Sequence, residues 1–351
     1  LNRFINLGSV YETSSGNISR QEYMYVKTEP GFGYYTWIDY NGDGIKDFDE
    51  FEIAEFQDQA TYLRLPKPNI RFVPTQRAKF TQSITLNPKI WSSQKGMKKI
   101  ISKFYNQSFL SVENEQERIG NSFNFNPFDL NEDKLLGLSL NLRNSLFFNK
   151  NLQKYSVTYT FGKTRNKQQY FIGSQENNIK LHQVTVAHKF KHFWLFELLG
   201  KTSKNDLVTE NFSTRNYNIH SNEIEPKISF LYDENNRFTA FYHFKNKKNQ
   251  LLNFENLAQQ KFGLEYFYRS KKKNQISANI NVFLNDFTGE TNTPVAYQML
   301  EGLQAGKNYT WNVVFNRKLN AFLNLNLNYV GRKSENSKTI HIGNIQLKAV
   351  F

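Results

Sequence analysis

The chain has 351 residues and a mass of 41.4 kDa, and 45 Lys and Arg against 31 Asp and Glu give a formal charge of +14. Its mean hydropathy is −0.64, and no apolar run approaches the roughly 20 residues of a spanning helix, which excludes helical membrane insertion. The absence of cysteine excludes disulfide scaffolds, zinc ribbons and thiol nucleophiles, while 16% aromatic residues are too many for a disordered chain.

The sequence opens on Leu1-Asn2-Arg3 with no initiator Met and no signal sequence, as expected of a mature or partial chain. A short strand is predicted at Tyr23–Thr28. Gly31-Phe32-Gly33-Tyr34-Tyr35-Thr36-Trp37-Ile38 reads as another, with clustered aromatics. It runs into Asp39-Tyr40-Asn41-Gly42-Asp43-Gly44-Ile45-Lys46-Asp47-Phe48-Asp49-Glu50, which fits the D-x-[DN]-x-[DN]-G-x5-E calcium loop at every specified position. A hard cation takes roughly six to eight oxygens, so ligands must converge from alternate positions of a tight coil. On that template Asp39, Asn41 and Asp43 supply side-chain oxygens, Ile45 its carbonyl, Asp47 an oxygen directly or through water, and Glu50 two oxygens. Gly44 permits the turn that joins the two halves. The competing reading is an acidic loop with Asn-Gly and Asp-Gly turns that binds nothing. Only the exit, Phe48–Gln59, suits a short helix, so the site reads as a structural clamp rather than a helix–loop–helix switch.

Beyond this loop, strands are predicted to centre on Ile84, Phe109, Leu140, Tyr159, Val186, Leu195, Ile228, Tyr242, Tyr266, Ile280, Val313, Leu325 and Leu347. The period of two is explicit in several of them. Leu136, Leu138, Leu140 and Leu142 oppose Ser139, Asn141 and Arg143, and Tyr155, Val157, Tyr159 and Phe161 oppose Ser156, Thr158 and Thr160. Phe262, Leu264, Tyr266 and Tyr268 oppose Lys261, Glu265 and Arg269. Later, Ile276, Ala278, Ile280, Val282 and Leu284 face away from Ser277, Asn279, Asn281 and Asn285. The same holds for Tyr309, Trp311, Val313 and Phe315, and for Leu323, Leu325, Leu327 and Tyr329. A helix, with its period of 3.6, cannot keep such a pattern on one side.

The connections alternate in length. Short Lys- and Asn-rich turns at Asn149–Lys154, His188–His192, Asp233–Arg237, Arg269–Asn274 and Asn316–Asn320 are separated by long polar loops. Those loops are Glu115–Asp133, Lys163–Asn178, Ser203–Glu223, Asn246–Gln259, Thr288–Gly306 and Lys333–Thr339. Outer-membrane barrels sort their loops this way, with short turns on one side and long loops on the other. The last residues, Ile345–Phe351, alternate and stop on an aromatic, like the closing strand of such a barrel. The expected fold is therefore all-β, a transmembrane antiparallel outer-membrane β-barrel of about 14 strands, preceded by a short extracellular calcium-loop segment. A soluble sandwich is the alternative. The expected division is an N-terminal segment, 1–77, and the barrel proper, 78–351. Putting Phe351 on the periplasmic side places Pro30–Arg77 outside the cell. Arg143, Lys227, Arg237, Lys245, Glu265, Arg269 and Lys348 should face the lumen, and Trp37, Trp91, Trp194 and Trp311 suit the interfacial girdles.

Other chemistry is thinly represented. The six histidines form no H-x-x-x-H pair on a helix, and no serine is set off as a nucleophile, so an enzyme is not expected. Alternation accounts for the mixing of basic and aromatic residues, so nucleic acid is not an expected partner. Outer-membrane lipid and lipopolysaccharide are the natural partners for the positive charge, with Ca2+ as the one expected cofactor.

Tyr34–Gln59, with DYNGDGIKDFDEFE and FQDQA, together with Met299–Trp311, resembles the C-terminal region of large, mostly uncharacterised outer-membrane proteins of Bacteroidota. The resemblance covers nearly the whole chain. It implies a calcium-loop segment leading into a C-terminal barrel, sizeable upstream domains, and a bacterial outer-membrane location. It brings no established activity. The expected function is an anchor or gated conduit in a transport or export assembly with other envelope proteins. The alternative is an autonomous pore for small solutes or hydrophobic molecules.

Overall fold

The computed structural model describes residues 4–349 except 119, 121–122, 132–133, 151–153, 171–172, 234, 252, 271–273 and 321, and at 18–22 and 68–71 the backbone alone. The strands are β1 (Ile5–Lys27), β2 (Tyr35–Trp37), β3 (Phe51–Ile53), β4 (Tyr62–Leu86), β5 (Phe104–Glu117), β6 (Leu135–Phe148), β7 (Tyr155–Tyr170) and β8 (Gly173–Phe190). They continue with β9 (Trp194–Thr209), β10 (Tyr217–Leu231), β11 (Asn236–Asn249), β12 (Asn256–Arg269), β13 (Asn274–Thr288), β14 (Gly306–Lys318), β15 (Leu323–Ser334) and β16 (Ile340–Ala349). Two short helices, α1 (Met97–Ile101) and α2 (Pro294–Leu300), interrupt connections.

All sixteen strands belong to one antiparallel sheet. From β4 to β16 each strand pairs with the next in sequence, and β1 pairs with β4 from Ile5↔Leu86 to Lys27↔Tyr62. Setting aside the three-residue β2 and β3, fourteen strands form an up-and-down meander. Because that number is even, the edge strands β1 and β16 run antiparallel, the sense needed for closure. Among the described residues no pairing joins them, and the sheet is open at that seam.

The sheet curls about one face. The segment 28–61, between β1 and β4, reaches Arg332 of β15 through Asp58 (2.5 Å) and Arg215, after β9, through Glu52 (2.9 Å). Register and pleat then sort the side chains. Lys201, Glu223, His243 and Lys261 fall on the inner face, and Leu198, Ile224, Tyr242 and Phe262 on the outer. The outer set is apolar and open to the surroundings, as with Leu264 at 59% and Ile345 at 76% exposure. All seven charged residues expected in the lumen take inward positions in this register. On the inner face Gly263 makes room for the Phe241 ring, which any Cβ there would meet at 2.2 Å.

Several expectations need correction. The boundary at 77/78 falls inside β4, because both strands of the first hairpin belong to the sheet and only 28–61 stands apart from the long strands. Lys163–Asn178 is no loop: β7 and β8 stay paired up to Tyr170↔Gly173. Lys163, Arg165 and Lys167 occupy outward positions there, so alternation fades above the apolar belt while backbone pairing goes on. Phe48–Gln59 forms two 3-10 turns around β3 rather than a helix. On the side of the short turns, 87–103 is longer than expected and carries α1. Trp37 lies in β2 within the segment 28–61, whereas Trp91 and Trp194 sit at the short-turn end, each 5.0 Å from a Phe ring. Among the described residues no helix is long and apolar enough to cross a membrane.

One long connection folds back outside the sheet. Outward Asn114 and Gln116 break the apolar pattern of β5, and residues 123–131 cover them. The Asn114 amide donates to the carbonyls of Asn126, Pro127 and Asp129 at 2.9–3.2 Å, and Gln116 donates to Asp129 O at 2.7 Å. Val112 and Leu138 are buried beneath this cover.

Candidate functional site

The site is built from two connections that meet over the inner face: the segment 28–61, here called the lid, and the loop 289–305 with α2. The sequence around α2 gives it clear ends. Thr293 Oγ1 accepts from Ala296 N at 3.1 Å, Pro294 takes the first helical position, and Glu301 and Gly302 close the helix at positive φ (55° and 70°). The seven-residue helix is held by packing, since one this short is not stable by itself. Val295, Ala296, Met299 and Leu300 bury against inward-facing Leu207, Tyr217, Ile219 and Leu257. Its return is clamped by amides: Asn285 and Asn308 both donate to Gln304 O, at 2.9 and 2.7 Å.

Below α2 the inner face is charged and internally neutralised. Lys245 and Lys247 both donate to Glu301 at 2.8 Å, and Lys247 also reaches Met299 O. Burial alone would raise the Glu301 carboxyl, but the Lys247 and Lys245 ammonium groups hold it down at about 2. Deeper still, Glu223 takes Lys201 at 3.0 Å and His243 at 3.2 Å, and Glu225 takes Lys227 at 3.1 Å.

The lid rests on α2 and on the strands opposite. Tyr297 on α2 donates from its hydroxyl to Ile53 O (3.0 Å) and accepts from Glu55 N (3.1 Å). Asn292 donates to the carbonyls of Asp39 and Tyr40, and Arg215 donates to Asp49 O and Phe51 O as well as Glu52. Phe51 stacks on Tyr25 of β1 at 3.8 Å, anchoring the lid to its own hairpin. Glu52 is 8% exposed, and burial pushes its carboxyl up to about 7 despite Arg215 beside it.

The calcium-type loop forms the outer corner of the lid. Asp39 draws the turn shut by accepting from Gly42 N (2.6 Å) and Gly44 N (2.9 Å), and both glycines hold the positive φ that the turn requires. Asn41 accepts from Asp43 N at 2.9 Å and Asp43 from Ile45 N at 2.6 Å. Glu50 is buried and turned toward the lid: its carboxylate accepts from Trp37 Nε1 (2.8 Å), Tyr40 N (3.2 Å) and Asp47 N (3.4 Å). Among the described residues no three acidic or imidazole groups gather closely enough to hold an ion. The coil matches the spacing, and its oxygens are engaged by backbone amides rather than converged. Desolvation, then the charges of Asp43, Asp49 and Glu50, raises the Asp47 carboxyl, a crowding of like charge at this corner.

Sequence reasoning found the loop and missed its support. α2, Arg215 and the clamp of Asn285 and Asn308 carry the lid. The flanks Thr293-Pro294 and Glu301-Gly302 were a legible helix signal. Arg215 had none, because its partners are more than 160 residues away.

No protein-family model and no curated protein matches the chain. Among solved structures it is similar to a loop-deletion form of OmpT, an outer membrane protein of Vibrio cholerae, with 7% identity and a TM-score of 0.40, covering 97% of this chain and 99% of that one. It is also similar to the translocator domain of the autotransporter NalP from Neisseria meningitidis, with 9% identity and a TM-score of 0.19, covering 80% and 81%. Likeness at that level carries no argument; the geometry of lid, helix and inner face does.

Proposed function

We propose that the chain is an outer-membrane β-barrel that closes along the seam between β1 and β16 and acts as a lidded anchor or gated conduit in an envelope transport or export assembly. The observation that carries the reading is the sorting of side chains along the same strands. Apolar residues are exposed outside, as at Leu198, Ile224 and Leu264, while paired charges and amides line the inside. Water on both faces would leave the outer belt without a reason. Within lipid an unpaired strand edge is untenable, which supports closure of the seam.

Outside, Lys163, Lys180 and Lys204 stand side by side in register across β7, β8 and β9, just beyond the belt. Like charges directly opposite repel, so this row suits the phosphates of lipid or lipopolysaccharide. Calcium at Asp39, Asn41, Asp43, Ile45, Asp47 and Glu50 would brace the lid once the side chains rotate toward the ion. That end lies at the cell surface in this reading, and the chain carries no enzymatic role.

Planar-bilayer conductance tests it. The expected result is a near-silent wild-type protein, and a channel opened by deleting 290–304 together with the lid. Failure of the folded protein to enter bilayers would sink the membrane reading. A wide, steady conductance from the wild type would favour the autonomous pore, a reading to which the polar inner face of β13–β16 lends some support.

A further inference from the structure

The end of the inner face opposite the lid is built differently. Arg269 at the end of β12, Arg317 and Lys318 at the end of β14, and Lys348 of β16 surround a basin of about 450 Å³. The rest of its polar lining consists of amides and one hydroxyl, from residues such as Asn316, Asn326 and Gln346, with no carboxylate. None of the four cations has an ion-pair partner among the described residues. Every inward position from β13 to β16 is free of Asp and Glu. The inward carboxylate of the adjoining strand, Glu265, stands four residues up β12 from Arg269 and lies outside the lining.

Arg269, Lys318 and Lys348 take inward positions in the register, while Arg317, outward on β14, lines the rim. Cations gathered at one concave, walled space raise a positive potential there, and a concave wall focuses it. Repulsion among them has no internal remedy of the kind seen under α2, where one carboxylate holds two lysines. A guanidinium presents a planar donor fork suited to an oxyanion, and the surrounding amides add neutral donors. The volume is that of a small-molecule site rather than a protein interface. We propose that this basin binds a small multivalent oxyanion of the phosphate class, either free or carried on a small solute. It does not depend on the sheet being inserted in a membrane.

The test uses the full chain folded in detergent, titrated calorimetrically with pyrophosphate at constant ionic strength. Saturable binding of one pyrophosphate per chain is expected. The double variant R269Q/K348Q should weaken it by about tenfold or more, the scale of losing charge-assisted hydrogen bonds. The variant K98Q/K99Q removes the same charge from α1 at the same end, outside the basin, and should leave binding unchanged. Comparing inorganic phosphate with glucose 1-phosphate separates the two sources, and preference for either upholds the site. A heat no larger than that of matched chloride, or equal losses in both double variants, would reduce the effect to overall charge and overturn the proposal. So would penta-aspartate binding that pyrophosphate cannot displace, which would transfer the basin to an acidic protein partner.

Discussion

The two ends of the inner face are opposites in charge balance, with the paired lysines on β9–β11 and the basin on β12–β16. Toward the lid, Lys245 and Lys247 share Glu301 and a helix fills the space above them, while deeper Lys201 and Lys227 pair with Glu223 and Glu225 of β10. At the other end Arg269, Arg317, Lys318 and Lys348 have no carboxylate partner among the described residues, and the space is open. The difference traces to the connections. The lid side has 28–61 and 289–305, long enough to fold inward and bring Glu52, Asp58 and Glu301 with them. The opposite side is mostly tight turns, and the two beside the basin, 270–273 and 319–322, contain no Asp or Glu. Strands build the wall, and loop length decides which end is plugged.

The largest expected effect breaks the plugged end by volume. Met299 is 0% exposed, so Met299→Ala should cost about 2–5 kcal/mol of local stability by leaving a cavity. The expected readout is a lower melting temperature and faster proteolysis within 289–305, while the exposed outer-face variant Ile345→Ala does neither.

Next comes charge. Glu301→Gln would leave Lys245 and Lys247 unpaired beneath α2, at a cost on the order of 2 kcal/mol once partial exposure of the glutamate is allowed for. The pH sign follows from a carboxyl held near 2. Its stabilisation is present above the usual value of 4.5 and is lost as pH falls toward 2. Protection of the α2 amides, measured against their intrinsic exchange rates, should therefore fall below pH 4.5 in the wild type and be flat in the variant.

The lid carries the opposite sign. Glu52 sits at about 7, above its ordinary 4.5, so its contribution is complete below 4.5 and lost as pH rises through 7. Lid docking should weaken over that window by on the order of 2 kcal/mol, and Glu52→Gln should flatten the trend. Proteolysis within 28–61, followed from pH 4.5 to 8, reads it directly. Identical pH profiles for both proteins would remove Glu52 from the account.

The smallest effect concerns the loop. With calcium at ten times its dissociation constant, the lid should gain about 1.4 kcal/mol of protection, abolished by Asp43→Ala with the sheet still folded. Melting and proteolysis curves that ignore both chelator and calcium would leave the acidic turn with no ligand.

Much of the wall was legible in the sequence. Alternation such as Ile276–Leu284 against Ser277–Asn285 is a local property, and it assigned both the strands and the faces, including all seven inward charges. It failed where both faces turn polar, as at Lys163–Asn178, since a periodic signal needs contrast between faces while a hydrogen-bonded ladder does not. The calcium-type loop was legible as a spacing, because its turns are fixed by neighbours a few residues apart.

By itself, then, the sequence determined the antiparallel meander, its two faces and the coil at 39–50, all consequences of short-range periodicity and turn chemistry. Only the tertiary structure decided that 28–61 lies across α2, that Arg215 and Arg332 receive Glu52 and Asp58, and that 123–131 covers outward Asn114. The tertiary structure alone also left four cations together at the far end, with no counter-charge among the described residues. These contacts join residues far apart in the chain, and the pairing of a charge with a distant partner leaves no periodic mark on either one.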